Sequence, residues 1–350
     1  MSLIGLEIDH LRCLQRAELE LHPGTNLMVG PNGSGKTSLL EAIYLLGRGR
    51  SFRTRHTERL IAHGADRLLV LGRLPAQSVI GVSCDRLQGL EARIDRRAPR
   101  TLAELSEALP VQVLDPGIHR LVEEGPLHRR RWLDWGVFHV EPQFVGQWTA
   151  YTRALRQRNA ALKGAQDPSP WDRELAPLGE HLSVARERVA AAVEPIWLQT
   201  LQSLAGPADV TLNYHRGWSQ EHSLQESLAG HLTRDRERGT TAFGAHRFDV
   251  VLKQGGRVAR ETLSRGQQKL VGAALALAMA RLVGQYAPRP PMLLLDDPAA
   301  ELDVVHTEAL MSEIRNVKGQ MVVTALSATE AQLGTPDRVF HVEQGRVQQL

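Results

Sequence analysis

The strongest constraint on the fold lies in residues 30–37, which read Gly-Pro-Asn-Gly-Ser-Gly-Lys-Thr. This string matches the pattern G-x-x-x-x-G-K-[ST], in which a glycine-rich backbone wraps closely around phosphate oxygens. The apolar residues 27–29 predict the end of a buried strand, and residues 38–46 predict a helix. The first amides of that helix and the positive end of its dipole would face an anion. A phosphate-binding loop between a strand and a helix is therefore predicted.

Each residue of this loop has an expected role in binding ATP. Lys36 would reach the β- and γ-phosphates, and the Thr37 hydroxyl would bind Mg²⁺. The backbone around these two side chains would enclose the phosphates, with contributions from Gly30, Pro31, Asn32, Gly33, Ser34, Gly35 and Ser38. The predicted cofactors are ATP and Mg²⁺.

A second apolar run, far downstream, ends in two carboxylates. Residues 291–295 are apolar and precede Asp296 and Asp297. This is the pattern of a buried parallel strand whose carboxyl end faces the nucleotide. Asp296 would hold Mg²⁺, and Asp297 would polarise the attacking water. Alone, such a run is more often a core strand that meets a solvated loop, but an intact phosphate loop in the same chain favours the catalytic interpretation.

A third motif distinguishes among classes of nucleotide-binding protein. Residues 263–269 read Leu-Ser-Arg-Gly-Gln-Gln-Lys and precede a helix rich in Ala and Leu. They resemble the L-S-G-G-Q signature of ABC-type ATPases, with Arg265 in place of a glycine. We expect Ser264 to cap this helix, whose N-terminus would offer amides and a hydroxyl to a phosphate.

The resemblance to ABC-type ATPases implies an ATP-dependent homodimer in which each copy completes the other's site. The elements expected to act on the partner's nucleotide are the signature residues Ser264, Arg265, Gly266 and Gln267. Residues 299–303 look like the D-loop that crosses the same interface, with Glu301 and Asp303 as its charged members. The expected catalytic residues are Lys36, Asp296, Asp297 and Ser264.

Composition places the chain among ordinary globular proteins. Its 350 residues would hold roughly two domains, and 42% are hydrophobic while 23% are charged. Two cysteines, Cys13 and Cys84, are too few for a disulfide framework and favour a reducing compartment. No apolar run approaches the roughly 18 residues of a membrane span. We expect a soluble, cytoplasmic protein without a membrane partner.

Local clusters of arginine are more informative than the net charge of +3. Any one cluster is slightly more typical of a solvated face or of local ion pairs. Together, on an ATPase of this class, they suggest contact with the phosphates of duplex DNA. The candidate DNA-binding residues are Arg50, Arg53, Arg55, Arg129, Arg130 and Arg131.

The periodicity of the chain changes twice. Alternating segments before residue 100 predict strands, including an antiparallel meander over residues 68–94, and helical periodicity dominates from about Gly125. We predict an α/β fold: an ABC-type P-loop ATPase head with a mixed sheet, flanking helices and an antiparallel β subdomain, plus an inserted helical arm. The predicted parts are residues 1–124 (head, with the phosphate loop), 125–207 (arm) and 208–350 (head, with the signature, the carboxylate strand and the D-loop).

Several blocks of the sequence resemble one family, the RecF recombination mediators of bacteria. They are residues 30–44 continuing into 49–53, residues 121–126 with 129–134, and residues 244–247 and 264–269. The resemblance implies an ATP-induced dimer that clamps double-stranded DNA near single-strand gaps and helps load the RecA recombinase. It also implies weak, DNA-stimulated ATP hydrolysis for release, the partners RecR and RecO, and a role in DNA damage repair, replication, recombination and the SOS response.

The chain departs from the family pattern at Ala245, Phe248 and Pro298. His246 and Arg247, in the same block, would be either structural or close to the nucleotide or DNA. Two alternatives remain at this stage: an ATPase subunit of a transporter, and a DNA scaffold that binds ATP without hydrolysing it. A long coiled-coil protein is excluded because no heptad repeat is sustained.

Overall fold

The computed structural model describes residues 2–329, 331 and 334–350 of the chain. They form two compact units. The first comprises Met1–Ile118, Ser203–Ala205 and Val283–Leu350, and the second comprises His119–Gln202 and Gly206–Leu282.

Strands predominate before residue 115, and helices predominate between residues 120 and 203. The strands are β1 (Gly5–Leu11), β2 (Leu14–Glu20), β3 (Thr25–Val29), β4 (Arg67–Arg73), β5 (Val79–Asp85), β6 (Gly89–Ile94), β7 (Val111–Leu114), β8 (Val210–His215), β9 (Asp249–Gln254), β10 (Arg257–Val258), β11 (Met292–Asp296), β12 (Met321–Ala325), β13 (Arg338–Glu343) and β14 (Arg346–Gln349). The α-helices are α1 (Lys36–Arg48), α2 (Ala103–Ala108), α3 (Arg120–Glu123), α4 (Pro126–Val140), α5 (Phe144–Lys163), α6 (Ser169–Ser203), α7 (Leu224–Gly230), α8 (Leu232–Arg238), α9 (Ala259–Thr262), α10 (Arg265–Tyr286) and α11 (Val304–Arg315).

The first unit contains a six-stranded mixed sheet with the order β14-β13-β3-β12-β11-β7. Its strands from β13 to β7 run parallel, and β14 is antiparallel to β13. Strands β11 and β12 are buried along their whole length, which explains their near-continuous runs of Leu and Val. Because the carboxyl ends of parallel strands share one edge, the loops that follow β3, β11 and β12 meet there.

A second sheet of the first unit is antiparallel, with the order β2-β1-β4-β5-β6. Its strands alternate between buried and exposed positions, as in β4, where Leu68 and Val70 are buried and Arg67 and Arg73 are exposed. One face of this sheet therefore packs on the core, and the other faces solvent. The predicted mixed sheet and antiparallel β subdomain are both confirmed.

The second unit is largely helical and also holds the antiparallel sheet β10-β9-β8. The indole nitrogen of Trp132 on α4 donates a hydrogen bond of 3.0 Å to the carbonyl of Leu275 on α10. On the same face of α4, a Cβ at Gly136 would lie 2.1 Å from the sulfur of Met279, so a larger residue would force that side chain to move. Residues 206–282 thus pack with the predicted arm of residues 125–207, whereas residues 283–350 pack with the first unit.

Within the part of the chain that the structure describes, no helix combines the length and apolar composition that a bilayer span requires.

Candidate nucleotide-binding site

A cleft of about 520 Å³ opens in the first unit at the carboxyl edge of the mixed sheet. Its floor is the loop that follows β3, and one wall is formed where β11 and β12 end. The lining residues are Arg12, Cys13, Asn32, Gly33, Gly35, Lys36, Thr37, Ser38, Arg53, Pro116, Asp296, Asp297, Thr324, Ala325 and Leu326.

The glycines of the loop allow the backbone to pass very close to its neighbours. A Cβ at Gly30 would lie 2.0 Å from the carbonyl oxygen of Val342 on β13, so no other residue fits there. Gly35 has a φ of 117°, in the region that favours glycine, and directly precedes helix α1. No side chain caps this helix, and no acidic residue stands in its first turn. The first amides of α1 are therefore suited to an anionic ligand.

Lys36 is folded across this loop. Its Nζ donates hydrogen bonds to the carbonyls of Gly30 (2.6 Å) and Pro31 (2.8 Å). Burial lowers the pKa of Lys36, although the carboxylates of Asp297 and Asp296 oppose that shift. An anionic phosphate is a stronger acceptor for an ammonium group than a neutral carbonyl is, so these contacts are exchangeable.

Thr37 and Asp296, the two predicted Mg²⁺ ligands, contact each other in the structure. The Thr37 hydroxyl donates a hydrogen bond of 2.9 Å to Oδ1 of Asp296, and the Thr324 hydroxyl donates another of 2.9 Å to the same oxygen. Burial raises the pKa of Asp296, while the two hydroxyl hydrogen bonds oppose the shift. A hydroxyl beside a carboxylate is the hard oxygen set that Mg²⁺ prefers, so these residues fit the ion. Thr324 was not among the predicted site residues, although it lies near the end of the buried core strand β12, at the position where ABC transporters carry a switch histidine.

Asp297 lines the cleft and has a left-handed backbone with a φ of 47°, which aspartate tolerates better than most residues. Its amide donates a hydrogen bond of 2.9 Å to the Thr324 hydroxyl, which fixes the turn that leaves β11. Both predicted carboxylates therefore line the cleft, but Asp296 is buried in a hydrogen-bond network, whereas Asp297 is partly exposed.

The signature residues lie in the second unit, at the start of α10. Ser264 accepts a hydrogen bond from the Gln267 amide (3.3 Å), and the Ser264 amide donates one to the Gln267 side chain (3.0 Å). This reciprocal capping box confirms Ser264 as the N-cap. Ser264, Arg265, Gly266 and Gln267 are all exposed. Their action on a second copy's nucleotide stays a prediction.

The D-loop residue Asp303 also has a local role. Its carboxylate caps α11 by accepting hydrogen bonds from the His306 amide (2.9 Å) and contacting His306 Nδ1 (2.7 Å). Glu301 is exposed, with a left-handed φ of 66°. Both are available on the surface of the first unit.

The candidate DNA-binding arginines fall into two groups. Arg50 and Arg55 are exposed, and Arg53, half-exposed, also lines the nucleotide cleft. Arg131 is exposed as well, in the second unit.

Arg129 and Arg130 are occupied within the second unit, contrary to expectation. Arg129 makes a two-pronged ion pair with Asp249, with both contacts at 3.0 Å, and also donates to the carbonyls of Leu121 and Glu124. Arg130 donates to the carbonyl of Phe248. The first two of the three arginines thus pack against the adjacent residues Phe248 and Asp249, whereas Arg131 is exposed.

His246 is structural. Its ring nitrogens contact the Tyr151 hydroxyl (2.9 Å) and the Thr241 carbonyl (3.2 Å), and burial lowers its pKa to about 4. The histidine is therefore neutral at pH 7 and belongs to the packing of the second unit. Phe248, one of the departures from the family pattern, packs its ring 3.8 Å from the guanidinium of Arg186.

Comparison with known proteins agrees with this fold. The family model described as the RecF/RecN/SMC N terminal domain matches residues 2–348. A relative from Stutzerimonas stutzeri (strain A1501), named DNA replication and repair protein RecF, is 41% identical over 362 residues, covering 100% of this chain and 98% of its own. A relative of the same name from Pseudomonas syringae pv. syringae (strain B728a) is 39% identical over 361 residues, with the same coverage.

Solved structures show the same fold. The recombination mediator protein RecF with ATP, from the RecFOR pathway, superposes with a TM-score of 0.87 at 23% identity, covering 100% of this chain and 97% of the other. The Smc head bound to the C-winged helix domain of ScpA gives a TM-score of 0.60 at 16% identity, covering 100% and 98%. The predicted ABC-type ATPase head is confirmed at this level.

The two cysteines allow a test of the cleft without mutation. Cys13 is exposed in the cleft, with its sulfur 3.9 Å from the Ser38 hydroxyl, whereas Cys84 is buried and its pKa is raised by burial. We expect iodoacetamide to alkylate Cys13 and ATP with Mg²⁺ to slow that reaction at least about fivefold. Mass spectrometry of the two cysteine peptides measures both rates. Equal Cys13 rates with and without nucleotide would show that ATP binds elsewhere.

Proposed function

This chain belongs to the RecF family, and we propose that it is an ATP-dependent DNA-binding protein of recombinational repair in the bacterial cytoplasm. The observation that carries the proposal is the convergence of Lys36, Thr37 and Asp296 on one cleft beneath an uncapped helix. The names of the relatives support the pathway, since they are DNA replication and repair proteins. The match extends over the full length of those relatives, so a transporter subunit is not favoured.

The cleft would use ATP as a switch. Lys36 would exchange the carbonyls of Gly30 and Pro31 for the β- and γ-phosphates, while Thr37 and Asp296 would hold Mg²⁺. Bound Mg²⁺ would neutralise charge on the phosphates. Asp297 would polarise the attacking water, and its side chain is one methylene shorter than glutamate, which suits slow hydrolysis. The resulting enzyme would be a weak, DNA-stimulated ATPase.

The homodimer would depend on the exposed signature. The first turn of α10 offers backbone amides and the Ser264 hydroxyl, and its capping box holds them in place before any partner arrives. In a head-to-tail dimer, this helix end would meet the triphosphate held by the other copy, and Glu301 and Asp303 would lie at the same interface. ATP would then act as the adhesive between two copies.

The closed dimer would clamp double-stranded DNA near a single-strand gap and open after hydrolysis. The exposed side chains of Arg50, Arg53 and Arg55 supply positive charge beside the cleft without any base-reading motif. RecR and RecO are the proposed protein partners, and loading of RecA on gapped DNA during the SOS response is the proposed outcome. This part of the proposal rests on the family.

The central experiment measures DNA binding with ATP and with ADP. We expect the wild-type protein to retard gapped duplex more strongly with ATP, and Lys36→Met to lose this difference. Losing charge-assisted bonds worth roughly 1.5–3 kcal/mol should weaken ATP binding about ten- to hundredfold. Lys318→Met, at an exposed lysine, is the control. If Lys36→Met still retarded DNA more strongly with ATP than with ADP, the proposed switch would be contradicted. Phosphate release by the wild-type protein, measured with and without DNA, distinguishes an ATPase from a scaffold that does not hydrolyse ATP.

Dimerisation is tested by Ser264→Arg. The larger, charged side chain would obstruct the helix end that meets the second copy, so we expect ATP binding to persist while the ATP-dependent dimer disappears. Sedimentation velocity with ATP measures the dimer. The matched control is Ser219→Arg, because Ser219 is also exposed and also accepts a hydrogen bond from a nearby backbone amide. A dimer of Ser264→Arg at wild-type affinity would refute the role of the signature.

The two groups of arginines predict opposite phenotypes. Arg50→Ala with Arg55→Ala should weaken DNA binding and reduce the slope of log K against log salt by about 2, since each phosphate contact contributes about 0.9. Its melting temperature should stay unchanged. Arg129→Ala should instead lower the free energy of unfolding by about 3 kcal/mol, because Asp249 loses its partner. Salt titration of DNA binding and thermal melting are measured for both variants. If both variants showed the same phenotype, the division into DNA-contacting and structural arginines would be wrong.

A further inference from the structure

Glu41, on helix α1, is a fully buried carboxylate. It contacts two arginines, Arg12 and Arg53, that line the nucleotide cleft. Arg12 donates to both of its oxygens, from Nε and from the terminal nitrogen, at 3.0 Å each. A guanidinium nitrogen of Arg53 lies 4.0 Å from the same carboxylate. A buried carboxylate is tolerated only when it is paired, so the positions of Glu41 and Arg12 are interdependent.

The same carboxylate holds one end of the arginine segment, defined as residues 50–59. The Ser51 hydroxyl donates a hydrogen bond to Oε1 of Glu41. That hydroxyl also accepts hydrogen bonds from the amides of Arg53 (2.9 Å) and Thr54 (3.0 Å). Glu41 thereby anchors, through Ser51, the turn on which Arg53 stands.

Arg12 holds the other end of the arginine segment. Its guanidinium donates to the carbonyl of Arg59 at 3.1 Å, and its amide donates to the carbonyl of Leu60 at 2.7 Å. Arg12 keeps these contacts in a left-handed backbone conformation with a φ of 58°. Such a conformation is unfavourable for arginine and persists only where its surroundings determine it.

Two members of this network also line the cleft, namely Arg12 and Arg53. A nucleoside triphosphate would bring several negative charges to that cleft and compete with Glu41 for both guanidinium groups. Arg12 has two short bonds to Glu41, but Arg53 is held only at 4.0 Å. Arg53 is therefore the side chain that would move toward phosphate, and its turn is the one that Ser51 and Glu41 anchor.

We propose that Glu41 is a positioning residue that couples nucleotide binding in the cleft to the arginine segment. This inference rests on the proposed function and adds to it a physical connection between the nucleotide cleft and the arginine segment. Nucleotide draws Arg53 inward, and the Glu41–Ser51 anchor transmits that shift to the turn that precedes Arg55. By linkage, DNA bound to the segment raises ATP affinity by the same factor by which ATP raises DNA affinity.

The experiment measures the dissociation constant of a fluorescent ATP analogue with and without a 30-base-pair duplex. For the wild-type protein we expect about tenfold tighter binding with DNA, a typical coupling between two sites. For Glu41→Gln, which keeps the shape and removes the charge, we expect the two constants to agree within about twofold. Glu104→Gln is the matched control, because Glu104 pairs with Arg97 at 2.8 Å on the surface of the same unit. It should retain the wild-type factor.

A second variant, Ser51→Ala, tests the inference even if Glu41→Gln does not fold. Ser51→Ala would remove the anchor without removing either partner of the Arg12–Glu41 ion pair. Because no charge is lost, we expect it to fold, and thermal melting measures whether it does. We expect its coupling factor to fall to about threefold or less, and the amides of Arg53 and Thr54 to exchange hydrogen faster. A folded Ser51→Ala with the wild-type factor and wild-type exchange overturns the inference even if Glu41→Gln is unfolded. If DNA leaves the ATP affinity of the wild-type protein unchanged, the proposed function is overturned, and the inference with it.

Discussion

The structure of the site depends on one hydrogen bond, from the hydroxyl of Thr37 to the carboxylate of Asp296, which joins residues 259 positions apart in the chain. It forms because β3, β12 and β11 are adjacent and parallel, in a register that pairs Asp296 with Thr324 and Thr324 with Met28. The strand ends then bring the phosphate loop, the acidic turn and Thr324 to one edge. Any shift of register by one residue would point these side chains to the opposite face of the sheet.

Two helix-capping residues also belong to the proposed dimer interface. Ser264 and Asp303 each cap a helix, and both are exposed at positions that would contact a second copy in the proposed dimer. A capped helix end is rigid before binding, so little conformational entropy is lost when a partner docks. The same two side chains can therefore cap their own helices and also serve the proposed dimer.

Arginine serves several purposes in this chain, and burial distinguishes them. Arg158, fully buried, bonds Asp172 and Asp235, and Arg186 bonds Asp134. These pairs organise the second unit, as Arg129 and Asp249 do. Arg50 and Arg55 remain on the surface of the first unit, where phosphate contact is physically possible. Arg12 and Arg53 stand between these cases, because each contacts a buried carboxylate and the cleft at once.

The sequence by itself determined the strand–loop–helix unit around Lys36, the buried strand that ends at Asp296 and the Ser264 cap. These features follow from glycine's freedom, from runs of apolar residues and from capping chemistry, all of which act within a few residues. Tertiary structure alone decided that Thr324 and Arg12 line the cleft, that Glu41 is buried against Arg12, and that Arg129 is occupied by Asp249. Those outcomes depend on strand register and helix packing, which bring together residues whose separation in the sequence carries no local signal.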